Sequence, residues 1–311
     1  MIISASRRTD IPAFYAEWFF KRIHQRTVLV RNPMNFHHIS QVDLSPDVVD
    51  GIVFWTKNPA PMLPRLDELR AYTYYFQFTL NAYGKDVEPH VPSKNEIVIP
   101  AFQKLSQRIG KDKVIWRYDP ILLNADYSMT YHLRYFQSLA AKLSGYTEKC
   151  TISFLNMYKK TERNLRPLSV FAPTADQKTE LMQRLAETAR QFGIVCDTCA
   201  EEMDFGQWGI GRARCIDNER LARLGGYTLF VAKDKNQRPD CGCAASIDIG
   251  AYNTCKHGCR YCYANFSIGT VQKNAAVHDR ESPLLYGHVG EEDRITIRDI
   301  PTYRTFQFEL F

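Results

Sequence analysis

Short apolar runs alternate with longer amphipathic stretches along most of the chain. The runs are rich in β-branched and aromatic residues, which predicts strands at 1–6, 27–31, 51–56, 72–80, 113–118, 150–156 and 193–198. Helical periodicity is clearest at 176–192, where Leu181, Leu185, Ala189 and Phe192 recur at helical intervals. Further helical patterns cover 12–24, 61–71, 95–109 and 127–143. Helices therefore separate most of the predicted strands.

Strands that alternate with helices predict an α/β fold with a mostly parallel sheet. Six or seven such units in roughly 200 residues favour a complete or partial βα barrel of the TIM type. We expect the barrel core to occupy residues 1–235. Residues 236–311 then form a cysteine-rich C-terminal extension, whose loop and tail pack on the barrel mouth.

Polar side chains follow nearly every predicted strand. In a βα barrel, the loops at the carboxyl ends of the strands open onto one face, which is where active sites lie. Lys57 and the arginines of this set suit a carboxylate or a phosphate. The set consists of Arg7, Arg8, Thr9, Asp10, Arg31, Asn32, Thr56, Lys57, Asn58, Arg117, Tyr118, Asp119, Asn156, Glu201 and Glu202.

The composition is that of an ordinary globular protein, with 45% hydrophobic and 24% charged residues over 311 positions. No apolar run approaches the ~20 residues that span a bilayer. Arg7 and Arg8 lack the apolar stretch that follows the arginines of a twin-arginine export signal. The net charge of +6 permits a polyanionic partner, and solubility alone explains it equally well.

Cysteines are concentrated in the last third of the chain, where eight of the nine lie at or after Cys196. The count is odd and no secretory signal is visible, which argues against an extracellular disulfide framework. We therefore expect a cytoplasmic protein with metal-bound thiolates. Cys150 lies within an apolar strand pattern and is predicted to be in the core.

Cys255, Cys259 and Cys262 have C-x3-C-x2-C spacing, so their thiolates can converge on one metal centre. Three protein ligands suit an iron–sulfur cluster that keeps one iron for a non-protein ligand. Gly258 permits a tight turn between them. The alternative is a zinc knuckle, which needs His257 or a distant cysteine as a fourth ligand.

Four further cysteines can form a second metal site. Cys199, Cys215, Cys241 and Cys243 supply a full set of four thiolates for another iron–sulfur cluster or a structural zinc, with Cys196 as a substitute ligand. Such a centre would be structural or would relay electrons. The alternative is that these residues are free buried thiols.

The string CKHGCRYCYAN at 255–265 resembles the radical S-adenosylmethionine signature, with an aromatic residue just before the third cysteine. It is similar to the cluster loop of spore photoproduct lyase and its relatives. The wider chain, through SASRRTDIP, FWTKNP and DIGAYNTC, resembles a bacterial family known as domain of unknown function 1848. Radical enzymes usually carry this loop near the amino terminus. Its late position implies either a permuted barrel or a loop that reaches over the mouth from an appended segment.

The resemblance implies an enzyme in which Cys255, Cys259 and Cys262 bind a 4Fe-4S cluster. S-adenosylmethionine would occupy the fourth iron, and an electron from flavodoxin or ferredoxin would yield a 5'-deoxyadenosyl radical that abstracts hydrogen from the substrate. The enzyme would be lyase-like or modifying. The catalytic candidates are then Arg8, Asp10, Lys57 and Asp119, and the cofactor-binding candidates are Thr56, Asn58, Arg117, Asn156, Glu201 and Tyr261.

Three signals point to nucleic acid as the partner, and so to DNA repair or nucleic-acid modification. They are the lyase-like loop, the positive charge, and a tail at 307–311 that resembles the sliding-clamp peptide. Gln307 would supply hydrogen bonds there, while Leu310 and Phe311 fill an apolar pocket. A tail packed on its own domain is the alternative. Aromatic residues that can stack on an exposed base are Trp55, Tyr118 and Tyr158.

A second function class is also compatible with these features. It is a non-enzymatic zinc or iron–sulfur binding adaptor associated with DNA or the sliding clamp. Bound iron and S-adenosylmethionine cleavage distinguish the enzyme from the adaptor.

Overall fold

The computed structural model describes residues 1–157 and 159–305. Its strands are β1 (Ile2–Ala5), β2 (Thr27–Arg31), β3 (His38–Asp43), β4 (Gly51–Thr56), β5 (Tyr74–Thr79), β6 (Val114–Ile121), β7 (Lys149–Phe154), β8 (Val195–Thr198), β9 (Gly211–Arg212), β10 (Thr228–Leu229), β11 (Ile247–Asp248), β12 (Arg294–Ile297) and β13 (Arg304–Thr305). Its α-helices are α1 (Ile11–Phe14), α2 (Ala16–His24), α3 (Ile99–Ile109), α4 (Met129–Leu143), α5 (Lys159–Leu165), α6 (Ala175–Gln191), α7 (Asn218–Gly225) and α8 (Ile268–Ala276). The helical pattern at 61–71 forms a 3-10 helix, Leu63–Leu69.

An eight-stranded sheet organises the fold, in the order β11-β1-β4-β5-β6-β7-β8-β9. Every neighbouring pair in it is parallel. The predicted α/β class and parallel sheet are therefore confirmed. The sheet is open, because β11 and β9 are its two edges and each is only two residues long, so a closed barrel is not confirmed in the described ranges.

The strand predicted at 27–31 forms, but the expectation that it belongs to the main sheet is wrong. β2 pairs antiparallel with β3, and β12 adds to β3 in parallel to give a separate sheet. The short connection between β2 and β3 lacks a crossover helix, and a connection of that kind favours an antiparallel hairpin. β10 and β13 form a further antiparallel pair.

The last strand of the main sheet comes from the cysteine-rich end of the chain. Ile247 and Asp248 of β11 lie beside Ile3 and Ser4 of β1, in parallel register. The loop that carries Cys255, Cys259 and Cys262 therefore leaves the carboxyl end of a sheet strand. The division of the chain into units 1–235 and 236–311 stays a prediction.

The two faces of the sheet differ in chemistry. On one face Phe54, Phe76 and Trp116 belong to the large apolar core, where Phe54 stacks on Phe76 with ring centroids 4.7 Å apart. Helices α3, α4 and α6 pack there. On the other face the amino-terminal halves of the strands carry apolar side chains that pack around Leu221 of α7. The carboxyl-terminal halves of the same strands carry polar side chains.

The polar residues of that second face include Ser4, Gln77, Arg117, Thr151, Ser153 and Asp197, all of them buried. This change from apolar to polar side chains places a polar region at the carboxyl ends of the strands. No helix in the described ranges is both long and apolar enough to cross a membrane.

Candidate functional site

A cavity of about 880 Å³ lies at the carboxyl ends of the main strands. Seven cysteines line it together with polar residues from the ends of six main-sheet strands. The lining includes Arg7, Arg8, Thr9, Asp10, Thr56, Lys57, Arg117, Asp119, Asn156, Cys199, Cys215, Cys241, Cys243, Cys255, Cys259, Tyr261 and Cys262. The structure thus brings most of the predicted site residues to one place.

The cysteine loop, residues 252–265, is held in shape by its own hydrogen bonds. The Asn253 N–H donates to the Ala264 carbonyl at 2.9 Å, and the Asn265 side chain donates to the Cys255 carbonyl at 2.7 Å. Gly258 has φ +67°, and a Cβ there would lie 2.9 Å from the His90 ring. Glycine is therefore required between the first two thiols.

The three thiols of this loop are half-buried, and their environment disfavours bare thiolates. Burial raises the pKa of Cys255 and Cys262, and it raises the pKa of Cys259 to about 12. Hydrogen bonds from backbone N–H groups act against burial and lower the pKa of two of these thiols. The His257 N–H does so at Cys255, and the N–H groups of Ala264 and Asn265 do so at Cys262. Ionised sulfurs at this position thus need a compensating cation.

Asp10 connects the cysteine loop to two other segments. Its Oδ2 faces His257 Nε2 at 2.8 Å and accepts the Lys57 N–H at 2.7 Å, while its Oδ1 accepts the Ala13 N–H and caps α1. Both Asp10 and His257 are buried. The Nε2 of His257 is therefore engaged by Asp10, whereas its buried Nδ1 has no hydrogen-bond partner among the described residues.

Glu88 is a central residue of the site that the sequence patterns did not indicate. It is 1% exposed, and it forms ion pairs with Lys57 Nζ at 2.7 Å and with Lys94 Nζ at 2.8 Å. The Tyr261 hydroxyl also donates to it. Although burial alone would raise the pKa of Glu88, the two ammonium groups lower it to about 2.

Lys57 is fixed by these contacts beside the cysteine loop. Burial favours its neutral form, but Glu88 and then Cys259 raise its pKa, so it stays charged. Its ammonium also lies 5.5 Å from the centre of the Tyr261 ring. A permanent positive charge therefore lies next to the Cys259 sulfur, where it favours the thiolate.

Asp248 connects the ends of β1 and β11. It accepts from the Ser4 and Ser6 hydroxyls, both at 2.6 Å, and from the Arg7 N–H at 2.8 Å. A Cβ on Gly250 would lie 2.1 Å from Ser6 Oγ, so the Gly250 backbone lies directly against the Ser6 side chain, where only glycine leaves room. The SASRR and DIGAYN segments are thereby held together at the cavity.

Arg117 and Asp119 form a further polar group on the cavity wall. Arg117 is buried, pairs with Asp119, and donates to Cys215 Sγ at 2.9 Å. Asp119 also accepts from the Ser153 hydroxyl, and its N–H donates to Asn81 Oδ1 at 2.8 Å. Burial opposes the charge on Arg117, but Asp119 and Cys215 raise its pKa well above the ordinary value.

The second cysteine set, Cys199, Cys215, Cys241 and Cys243, comes together on this wall. Cys199 Sγ lies 3.3 Å from Cys215 Sγ, and the Ile216 N–H donates to Cys243 Sγ at 3.4 Å. Cys196 lies elsewhere, buried in the core beside Cys150. Within residues 1–157 and 159–305, no three His, Cys, Asp or Glu side chains are arranged to hold a metal ion as they stand.

Several predicted residues occupy other positions. Asn58 Oδ1 accepts the Ala60 N–H within a turn, and Glu201 accepts the Phe154 N–H and pairs with Lys178, so neither lines the cavity. Thr56 lines it, although its hydroxyl accepts the Asn58 N–H.

Of the residues predicted to stack on a base or to bind the sliding clamp, only some can be placed in the structure. Trp55 lines the cavity, whereas Tyr118 is 1% exposed and hydrogen-bonded to His132, so stacking of a base on Tyr118 is excluded. Tyr158 lies outside the described residues. So do Gln307, Leu310 and Phe311 of the tail.

Together these features define a class: a parallel α/β protein with a cavity lined by thiols at its strand ends. The chain belongs to the family described as domain of unknown function (DUF1848), whose model matches residues 2–264. That match includes the cysteine loop up to Ala264. No curated protein and no solved structure matches the chain.

Proposed function

We propose that the protein is a radical S-adenosylmethionine enzyme whose iron–sulfur cluster is bound by Cys255, Cys259 and Cys262. The main support is that these half-buried thiols line the same cavity as the polar ends of six parallel strands. On this proposal the open sheet is a partial βα barrel. The edge strand β11 lies beside β1 in the sheet but comes late in the sequence, so the strand order is that of a permuted barrel.

The donor set fits such a cluster. Three thiols in one loop leave one iron without a protein ligand, and neighbouring backbone N–H groups point at two of the sulfurs. Donors of this kind tune the potential of an iron–sulfur centre.

The bound cluster would supply one electron to cleave S-adenosylmethionine, and the resulting radical would act on the substrate. Asp10 positions the cysteine loop, because its carboxylate is used by three partners. Lys57 supplies a fixed positive charge at Cys259. Arg8 and Asp119 line the cavity with opposite charges, and such charges suit a ligand that carries both a carboxylate and an amino group.

A nucleic-acid substrate is the second element of the proposal. Arg8, Arg238 and Arg298 line the cavity, and none forms an ion pair within the described part of the chain. Unpaired guanidinium groups at a cavity mouth suit phosphate oxygens. Together with the net charge of +6, they favour a polyanionic substrate held at the opening.

Product analysis tests the enzymatic proposal. Protein reconstituted anaerobically with iron and sulfide, then reduced, should convert S-adenosylmethionine to 5'-deoxyadenosine, measured by mass spectrometry. Cys259→Ala should abolish this product, whereas Cys150→Ala, in the core, should not. A colourless wild type that binds zinc and yields no 5'-deoxyadenosine would instead favour the adaptor.

A further inference from the structure

We infer that Cys199, Cys215, Cys241 and Cys243 form a second metal centre with four thiolate ligands, in the same cavity as the cysteine loop. The inference stands independently of the proposed radical chemistry. Its basis is the way in which three separate segments bring these sulfurs together.

The four cysteines come from segments that are far apart in the sequence. Cys199 follows β8, Cys215 follows β9, and Cys241 and Cys243 lie in the loop before β11. Even so, Cys199 Sγ and Cys215 Sγ are 3.3 Å apart. The Cys215 thiol also interacts with that of Cys243, and the Cys243 thiol with that of Cys241. The set is thus one contiguous chain of sulfurs.

The backbone around Cys215 is held firmly. The Tyr75 hydroxyl and the Gln77 amide, both on β5, donate to the Cys215 carbonyl at 2.6 and 3.0 Å. The Ile216 carbonyl accepts the Ala244 N–H at 3.0 Å, which connects the Cys215 and Cys243 segments. Sheet side chains therefore position two of the ligands, as in preorganised metal sites.

A buried cation lies beside one of the four sulfurs. Arg117 donates to Cys215 Sγ at 2.9 Å, and it is a buried cation whose only carboxylate partner in the described ranges is Asp119. One guanidinium cannot balance four thiolates, so a bound metal cation would supply the remaining positive charge. Cys150, by contrast, lies in the apolar core beside Cys196.

One pair of sulfurs in the set already lies close to metal-binding spacing. Tetrahedral zinc with bonds of about 2.3 Å places its sulfurs about 3.8 Å apart, slightly more than the contact between Cys199 and Cys215. Four protein ligands leave no open position. The centre would therefore be structural or would relay electrons, and either zinc or an iron–sulfur cluster suits its donor chemistry.

The test removes the first centre and asks what remains. The triple variant Cys255→Ala, Cys259→Ala, Cys262→Ala is purified anaerobically, and its zinc, iron and sulfide are measured. About one zinc, or about four iron with sulfide, should remain per chain. Absorbance and electron paramagnetic resonance of the reduced protein distinguish the two. A triple variant without bound metal would overturn the inference.

A second series assigns the ligands. Adding Cys215→Ala and Cys243→Ala to the triple variant should remove the remaining metal, whereas adding Cys196→Ala should leave it in place. Metal that survives the loss of Cys215 and Cys243 would refute the assignment.

If the variant that also carries Cys215→Ala and Cys243→Ala fails to fold, thiol alkylation of the triple variant tests whether the second cysteine set binds metal. Its partly exposed Cys199 should be protected from alkylation until a chelator removes the metal. Alkylation at equal rates with and without chelator would overturn the inference.

Discussion

Glu88→Gln provides a quantitative test of the buried charge network behind the cysteine loop. The substitution removes the carboxylate that holds Lys57 and Lys94, while the shape of the side chain is preserved. The folded-state pKa of Glu88 is about 2, against an ordinary value of 4.5. At ~1.36 kcal/mol for each unit, the ionised carboxylate contributes about 3 kcal/mol to the free energy of unfolding near neutral pH.

The pH dependence has a definite sign. Because the pKa of Glu88 is depressed on folding, its contribution is complete above pH 4.5 and is lost as the pH falls through about 2. The difference in unfolding free energy between wild type and Glu88→Gln should therefore shrink by roughly 1 kcal/mol between neutral pH and about pH 3.5. Urea titrations followed by circular dichroism at several pH values measure it.

A surface carboxylate serves as the matched control. Glu180 forms an exposed ion pair with Arg184 on α6, so Glu180→Gln should change the unfolding free energy by less than about 0.5 kcal/mol. If Glu88→Gln also changes the unfolding free energy by less than about 0.5 kcal/mol at neutral pH, the ion pairs of Glu88 do not stabilise the fold. Iron incorporation measured alongside would show whether the cysteine loop depends on it.

Three further changes test separate parts of the structure. Gly258→Ala should lower the unfolding free energy, measured by thermal unfolding, by about 1–2 kcal/mol, because φ is +67° at that position. The control is Gly269→Ala in α8, where an added Cβ contacts nothing and the change should be neutral or stabilising. Equal effects of the two substitutions would contradict the argument from backbone conformation. Asp10→Asn should lower the unfolding free energy by roughly 1–3 kcal/mol in urea titrations and should reduce iron incorporation, because the single side-chain oxygen of asparagine cannot replace two carboxylate oxygens that contact three partners. A variant with unchanged stability and iron content would show that Asp10 does not position the cysteine loop. Deletion of 307–311 should abolish capture by the immobilised sliding clamp and leave 5'-deoxyadenosine formation unchanged; undiminished capture would remove the tail hypothesis.

Sequence patterns predicted the strands of the main sheet well where they are long and apolar. β4, β5 and β6 combine β-branched and aromatic residues, and these residues mark buried parallel strands. β11 was not predicted, because two residues carry no periodicity. β2 was predicted as a strand but in the wrong sheet, since pairing depends on which segments meet in space.

The site was predictable in part. Cys255, Cys259 and Cys262 were found through their spacing, and Asp10, Lys57 and Asp119 through their position after strands. Glu88 was missed because it lies in the irregular segment between β5 and α3, where neither periodicity nor a motif marks it. Its burial among Lys57, Lys94 and Tyr261 is a tertiary effect.

Polar residues inside apolar strands were the signal that could have revealed more. Gln77 interrupts the run of aromatic residues in β5, and Arg117 interrupts β6. A buried polar side chain needs a partner, so its presence in a central strand indicates a polar site on that face. Both residues contact Cys215 in the structure.

Electron paramagnetic resonance of the reduced protein, recorded with and without S-adenosylmethionine, shows whether the cysteine loop binds a cluster with an open iron. We expect the signal of a reduced 4Fe-4S cluster that changes when S-adenosylmethionine is added, and that disappears in the Cys255→Ala, Cys259→Ala, Cys262→Ala variant. Any signal that remains in that variant belongs to the second cysteine set and should not respond to S-adenosylmethionine. A wild-type cluster whose signal is unaltered by S-adenosylmethionine would refute the proposed radical chemistry.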